Sequence, residues 1–190
     1  MTDTIRMLAL SGLAYEDEAP LGMKVLNTLP AGNELSRLNM DNTQLLLADA
    51  SLEERHSLEP KEDQPLYQEI HRLEFKVDAM MRLLAELLEQ QRALPAARKF
   101  RMHAQGLEWM ESTAAPLTVG AKGVVSVYIN RALPYPIRLP SEVTAVSPAD
   151  GESVIRVEFR GLSTQVGELL EKLIFRHHRR QIAEARAVRN

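Results

Sequence analysis

The chain holds five histidines, twenty-six aspartates and glutamates, twenty-three lysines and arginines, and no cysteine. Their placement bounds the chemistry open to it. Without a thiol there is no disulfide, zinc–thiolate site, iron–sulfur cluster or cysteine nucleophile, and a reducing compartment is the easier home. There is no HExxH sequence, no histidine pair at helix-chelating spacing and no GxxxxGK[ST] phosphate loop. His177 and His178 are neighbours, and on a helix they would point about 100° apart. They read as exposed residues of a basic segment rather than joint metal ligands. Gly161-Leu162-Ser163-Thr164-Gln165 opens like a nucleophile elbow, but Gln165 stands where the second glycine is needed, so Ser163 reads as a helix cap. Gly120 and Gly123 flank a turn before a strand, not a helix N-terminus, which excludes a dinucleotide fingerprint. The single tryptophan, Trp109, reads as core. No catalytic set and no metal site is expected, and the chain reads as a non-enzyme.

Charge is distributed unevenly. The net charge is −3, yet residues 1–60 carry four Lys/Arg against ten Asp/Glu, and residues 174–190 carry five arginines against Glu184 alone. Those arginines, at 176, 179, 180, 186 and 189, fit a solvated helix face or a partner for the acidic N-terminal part. No aromatic residue interleaves with them after Phe175 to stack on bases, so no nucleic-acid partner is expected. At 190 residues, 45% hydrophobic and 26% charged, the chain matches one globular domain with an appendage. Met7–Leu10 is too short for a signal h-region and no apolar run is long enough to span a bilayer, which suggests a cytoplasmic protein without a membrane span.

The elements that must position these residues fall into three regions. Residues 1–31 mix apolar residues with Gly12, Pro20, Gly22, Pro30 and the cluster Glu16-Asp17-Glu18, and read as an irregular or extended segment. Residues 32–97 read as a helical oligomerisation region. Asn33 is a plausible N-cap, and Leu35, Leu38, Leu45, Leu46, Ala48 and Leu52 recur at helical spacing, in one helix or in two with a break near Asn39–Thr43.

Pro65 suits a first helical position and Pro95 ends the run, which gives a long helix over about 65–94, roughly 45 Å at 1.5 Å per residue. Leu66, Ile70, Leu73, Val77, Met80, Leu84, Leu87 and Leu94 follow alternating steps of four and three, interrupted only at Gln91. That is a heptad seam with Ile70, Val77 and Leu84 at a and leucine or methionine at d. Tyr67, Met81, Leu83 and Leu88 make the flanks apolar, and Phe75 is apolar at the outermost position. The widened stripe predicts a homo-oligomer, with a tetramer favoured over a dimer, and predicts that segment 33–54 packs outside the long helix over Phe75.

After Pro95 the period shortens towards two. Phe100–Met110, Val119–Asn130, Ile137–Val146 and Val154–Phe159 read as strands of a small antiparallel barrel or sandwich. A last helix begins near Ser163 or Thr164 with Val166, Leu169, Leu170, Leu173 and Ile174 on one face. The fold class is α+β: N-terminal helices including a long coiled-coil helix, then a small antiparallel barrel and C-terminal helix over residues 98–190.

Gly106-Leu107-Glu108-Trp109 in the first of these strands, Pro116-Leu117-Thr118-Val119-Gly120 before the second, and Leu173-Ile174-Phe175-Arg176 in the last helix resemble the PilZ domain. The resemblance covers residues 98–186. It implies a six-stranded barrel capped by a helix and a family that receives cyclic di-GMP in bacteria. Aligned with that family's D/NxSxxGLxF strand, Arg101 takes the place of Asp/Asn, His103 that of Ser, and Gly106 that of Gly. The family's RxxxR is absent ahead of the barrel, because Arg98 and Arg101 are three residues apart; Arg176 and Arg180 have that spacing but sit in the last helix. Arg101 offers only donors where the guanine contact needs an acceptor, and His103 is far larger than serine. The chain thus resembles a degenerate PilZ protein with an added heptad helix, oligomeric and acting through an unidentified protein partner in motility, surface behaviour or virulence. Binding of cyclic di-GMP is expected to be weak or absent. The alternative is a working receptor that uses Arg98, Lys99 and Arg101.

Overall fold

Val125 and Val127 are buried while Val124 and Ser126 are only partly covered, the period-two pattern that makes Lys122–Val127 a strand with one wet face. The computed structural model describes residues 13–57, 69–70, 72–77, 79–80, 83–84, 94–112, 117–130, 133, 135–149 and 152–187. Six antiparallel strands form a closed barrel: β1 (Tyr15–Leu26), β2 (Ala97–His103), β3 (Gly106–Ser112), β4 (Lys122–Val127), β5 (Ile137–Ala149) and β6 (Glu152–Phe159). Around the barrel the order is β1-β2-β3-β6-β5-β4. Helix α1 (Gly32–Ser57) lies between β1 and β2 in the chain, and helix α2 (Thr164–Ala187) follows β6.

The strand that closes the barrel lies within residues 1–31, expected to be extended or irregular, and what it corrects is the boundary of the barrel. Tyr15–Pro20 pairs with β2 and Leu21–Leu26 with β4, so the barrel is built from both sides of the helical region and residue 98 is not its boundary. Neighbouring charges explain why an acidic cluster can form a strand. Glu16 stands opposite Arg101 and Glu18 opposite Lys99, and such cross-strand pairs favour the ladder. Tyr15, Ala19 and Leu21 supply the buried side. Pro20, which cannot donate a ladder bond, sits where β1 changes partners.

The expected strand Phe100–Met110 is instead the hairpin β2–β3. Ala104 and Gln105 form its turn and His103 faces Gly106 across it. Helix α1 is continuous through Asn39–Thr43. It starts at Gly32, whose φ of 54° is a conformation open to glycine, so Asn33 lies inside the helix rather than at its cap.

Inside the barrel, Phe100, Met102, Leu107, Trp109, Leu139, Ile155 and Val157 are all buried, and Val166, Leu170, Leu173 and Ile174 of α2 join the same cluster. The backbone N–H of Val166 donates to Ser163 Oγ at 3.3 Å, which makes Ser163 the cap its sequence suggests. Helix α1 packs on β5 and α2, not over Phe75, which is 68% exposed. The described residues between 69 and 84 are helical, and Ile70, Leu73, Val77, Met80 and Leu84 are exposed there. Leu66 and Leu87 lie outside the described residues. No helix among the described residues is long and apolar enough to cross a membrane.

Candidate functional site

The β2–β3 hairpin gathers the three motif positions at one end of the barrel, with His103 opposite Gly106 and Arg101 opposite Glu108. Gly106 is required by its neighbour strand: a Cβ there would lie 2.4 Å from the Val157 carbonyl oxygen. Arg101 and His103, two apart on a strand, share its outer face. That face holds buried charge. Glu108 is fully buried, and its Oε1 accepts from Arg156 Nε at 2.8 Å and lies 2.7 Å from Arg156 Nη2. Glu108 Oε2, Arg101 Nε and His103 Nε2 are buried without a hydrogen-bond partner. Arg101 Nε is 3.5 Å from Glu16 Oε1, an ion pair by distance. Burial, then the Arg101 guanidinium, holds the His103 imidazole below its usual pKa, while Glu108 and a backbone hydrogen bond to Leu13 oppose the shift. The lowered pKa favours the neutral ring.

His103 and Gly106 open onto a cleft of about 680 Å³ between the hairpin turn and α2. Glu158 stands on the barrel side, Glu168, Glu171 and Lys172 on the helix, and Leu13, Ile174 and Phe175 give it apolar surface. Arg101 lines a neighbouring depression of about 530 Å³ with Glu16, His178 and Gln181. Arg98 lines a third, of about 520 Å³, beside Lys99 and Glu111. The motif positions are thus divided: His103 and Gly106 share one hollow, and Arg101 faces another.

Arg98 is three residues from Arg101, so strand alternation turns the two side chains to opposite faces. Arg98 donates to the Leu21 carbonyl and, through Nη2, to Glu111 Oε1 at 2.7 Å. The second oxygen of Glu111 accepts the Trp109 indole N–H at 3.1 Å. Trp109 is core, as its sequence context suggests.

The basic helix is anchored rather than free. Arg176 pairs at 3.0 Å with Asp49 of α1, which also accepts from Asn130 Nδ2 at 3.0 Å. His177, expected to be exposed, is instead partly buried and stacks on Tyr15 with ring centroids 4.1 Å apart. Sequence reasoning missed three residues that fix this arrangement. Asn39 accepts from the Ser163 N–H and donates to the Gly161 carbonyl, both at 3.0 Å. Asn42 does the same with the backbone of Arg138, at 2.9 and 2.8 Å, and Asp49 holds Arg176. Their common helix face at positions 39, 42, 46 and 49 is the signal that would have found them.

A family model described as "Atypical PilZ domain, cyclic di-GMP receptor" matches residues 46–187. The chain belongs to the atypical PilZ domain family. Strands β2–β6 and α2 lie inside the matched stretch, and β1, the barrel's closing strand, precedes it. Among solved structures, the PilZ fold found here is similar to that of a pathogenic protein from Xanthomonas campestris, with a TM-score of 0.75 and 24% identity over 92% of this chain and 93% of that one. That protein is described as a tetrameric PilZ domain self-assembled via an unusual helical bundle. No curated protein matches the chain.

Proposed function

We propose that this PilZ protein is a non-enzymatic bacterial adaptor that assembles through a coiled-coil helix over residues 65–94 and acts through protein partners, in motility, surface behaviour or virulence. The observation that carries the reading is the row Ile70, Leu73, Val77, Met80 and Leu84, exposed by 46%, 60%, 54%, 63% and 49% in the single chain. Five large apolar side chains in heptad register favour burial against copies of themselves. Apolar flanks such as Leu83, 60% exposed, favour a tetramer over a dimer. The tetrameric, helical-bundle description of the Xanthomonas campestris protein supports the same arrangement.

The residues at the nucleotide motif do not fit cyclic di-GMP. Paired arginines would have to reach its phosphates, yet Arg98 is committed to Glu111 and turned to the opposite face from Arg101. Arg101 stands where a base-edge acceptor is needed and is itself beside Glu16. The cleft at His103 and Gly106 carries Glu158, Glu168 and Glu171 against Lys172, which disfavours a doubly anionic ligand. The family's description as a cyclic di-GMP receptor supports the second reading, a receptor with replacement contacts.

Sedimentation of the full chain tests the first reading, with a tetramer expected at micromolar concentration and a monomer overturning it. Calorimetric titration with cyclic di-GMP in 150 mM salt separates the two readings: no saturable submicromolar binding is expected, and a submicromolar Kd lost on Arg101→Ala would establish the receptor.

A further inference from the structure

The cleft between the β2–β3 turn and α2 combines two features whose chemistry points the same way. Its charged rim is mainly acidic. Glu168 and Glu171 project from successive positions of the α2 face and Glu158 faces them from β6, with Lys172 the cation among the lining residues. Arg160 partly satisfies Glu158 at 2.8 Å, but it divides itself between Glu158 and Glu142, the latter at 3.3 Å. The second feature is His103, which lines the same cleft, is 7% exposed, and has an Nε2 without a hydrogen-bond partner. A buried polar atom left unsatisfied costs free energy that a ligand could recover.

A neutral imidazole leaves one ring nitrogen as an acceptor, and a carboxylate is an acceptor at every lone pair. The cleft therefore presents acceptors on both walls. A ligand that satisfies them must be a cation rich in N–H donors, and a guanidinium supplies five in a planar fork, where an ammonium is a point charge. Phe175, 52% exposed, and Leu13, 42% exposed, give apolar surface beside these groups. A free cation would leave that surface wet, whereas a peptide with an apolar residue next to its arginine would cover it.

We infer that this cleft docks an arginine-bearing segment of a protein partner, with the guanidinium between Glu158 and the Glu168/Glu171 pair and an apolar neighbour against Phe175. The inference rests on the adaptor reading and adds to it the chemistry of the partner.

The test uses the 190-residue chain and four probes: acetyl-Leu-Arg-Leu-amide, acetyl-Leu-Glu-Leu-amide, acetyl-Arg-amide and cyclic di-GMP, each titrated while the Gly106 amide and His103 ring resonances are followed by NMR. The arginine peptide should shift both in a saturable way and the glutamate peptide neither. In Glu168→Gln/Glu171→Gln protein the arginine peptide should bind at least tenfold more weakly, with the rest of the spectrum and the oligomeric state unchanged. Phe175→Ser should weaken it by a further route, erasing the advantage of the leucine-flanked peptide over acetyl-Arg-amide. Equal binding of the two peptides, no binding of the arginine peptide, or no effect of the double substitution overturns the inference and leaves the adaptor reading standing. Submicromolar cyclic di-GMP binding at these resonances overturns both.

Discussion

Arg98 Nη2 on β2 lies 2.7 Å from Glu111 Oε1 on β3, and the other oxygen of that carboxylate takes the indole proton of the core tryptophan. One carboxylate thus serves a cation and a buried N–H together, with the Glu111 side chain 8% exposed and that of Arg98 22%. Glu111→Ala should leave both donors without an acceptor and cost about 2–4 kcal/mol of stability. Glu111→Gln, which keeps an acceptor for the indole, should cost less. Urea denaturation with tryptophan fluorescence measures both; equal losses would show that the acceptor kept for the indole contributes nothing beside the charge pairing with Arg98.

Two glycines should respond oppositely to the same substitution. A methyl at Gly106 meets the Val157 carbonyl oxygen at 2.4 Å, a backbone atom that cannot step aside without moving β6. Gly106→Ala should therefore cost about 1–3 kcal/mol, the range for overpacking. Gly167, within α2, has nothing within 4 Å of an added Cβ. Gly167→Ala should stabilise the protein by about 0.5–1 kcal/mol through helix propensity and the lost freedom of the unfolded chain. Thermal melts of the two variants against the parent decide it, and a harmless Gly106→Ala would mean that β3 and β6 do not approach as closely as described.

The buried His103 imidazole makes stability depend on pH in a known direction. Burial and Arg101 lower its folded pKa below the unfolded value, so the unfolded chain binds more protons and stability rises with pH. The contribution is fully present above the unfolded pKa, about 6.5, and is lost as pH falls through the folded value. The stability difference between parent and His103→Asn protein should favour the parent more at pH 7.5 than at pH 5. Denaturation at both pH values measures this, and taking the difference cancels the other titrating groups. A difference independent of pH would mean that folding leaves the His103 pKa at its unfolded value, and one that favours the parent more at pH 5 would place a charged imidazole at this site.

The barrel was legible where a strand's pattern is local. Val125 and Val127 alternate with partly covered neighbours, Trp109 is buried, and Ser163 caps α2 as their own sequence neighbourhoods indicate. What was not legible depends on distant partners. Glu16 and Glu18 look like a break in structure until Arg101 and Lys99, more than eighty residues on, are set across from them. The polar members of the inward face of α1 were hidden for the same reason. Asn42 is 1% exposed and Asp49 2%, on the same face as the buried Leu46. Leu35, Leu38, Leu45, Leu46 and Leu52 do take buried or half-buried positions, but a count of leucines passes over Asn42, which bonds the backbone of Arg138, 96 positions away, and so replaces water within the protein. At the site, Gly106 was found through its motif, and the separation of Arg98 from Arg101 was implicit in their odd spacing on one strand. The acidic cleft was not visible, since Glu158 and Glu168 come together only after the chain turns from β6 into α2.

The last prediction concerns the helical row that the single chain leaves uncovered. Val77 and Leu84 are one heptad apart at the a positions of the proposed seam, and both are about half exposed in the isolated chain, at 54% and 49%. If copies of the chain cover them, Val77→Asp/Leu84→Asp places two carboxylates per chain in a desolvated interface, each costing several kcal/mol when uncompensated. Those carboxylates would also face their like in neighbouring copies, so the assembly should fall to monomers. In the monomer the same substitutions sit on exposed positions and should leave the barrel intact, because surface changes away from special features shift stability by only about 0.5 kcal/mol. Sedimentation should therefore report a loss of mass while the Trp109 fluorescence and the barrel melt stay near the parent's. A variant that keeps the parent's mass would move the contact surface away from residues 65–94, and a variant that unfolds outright would mean these side chains pack within the chain rather than between chains.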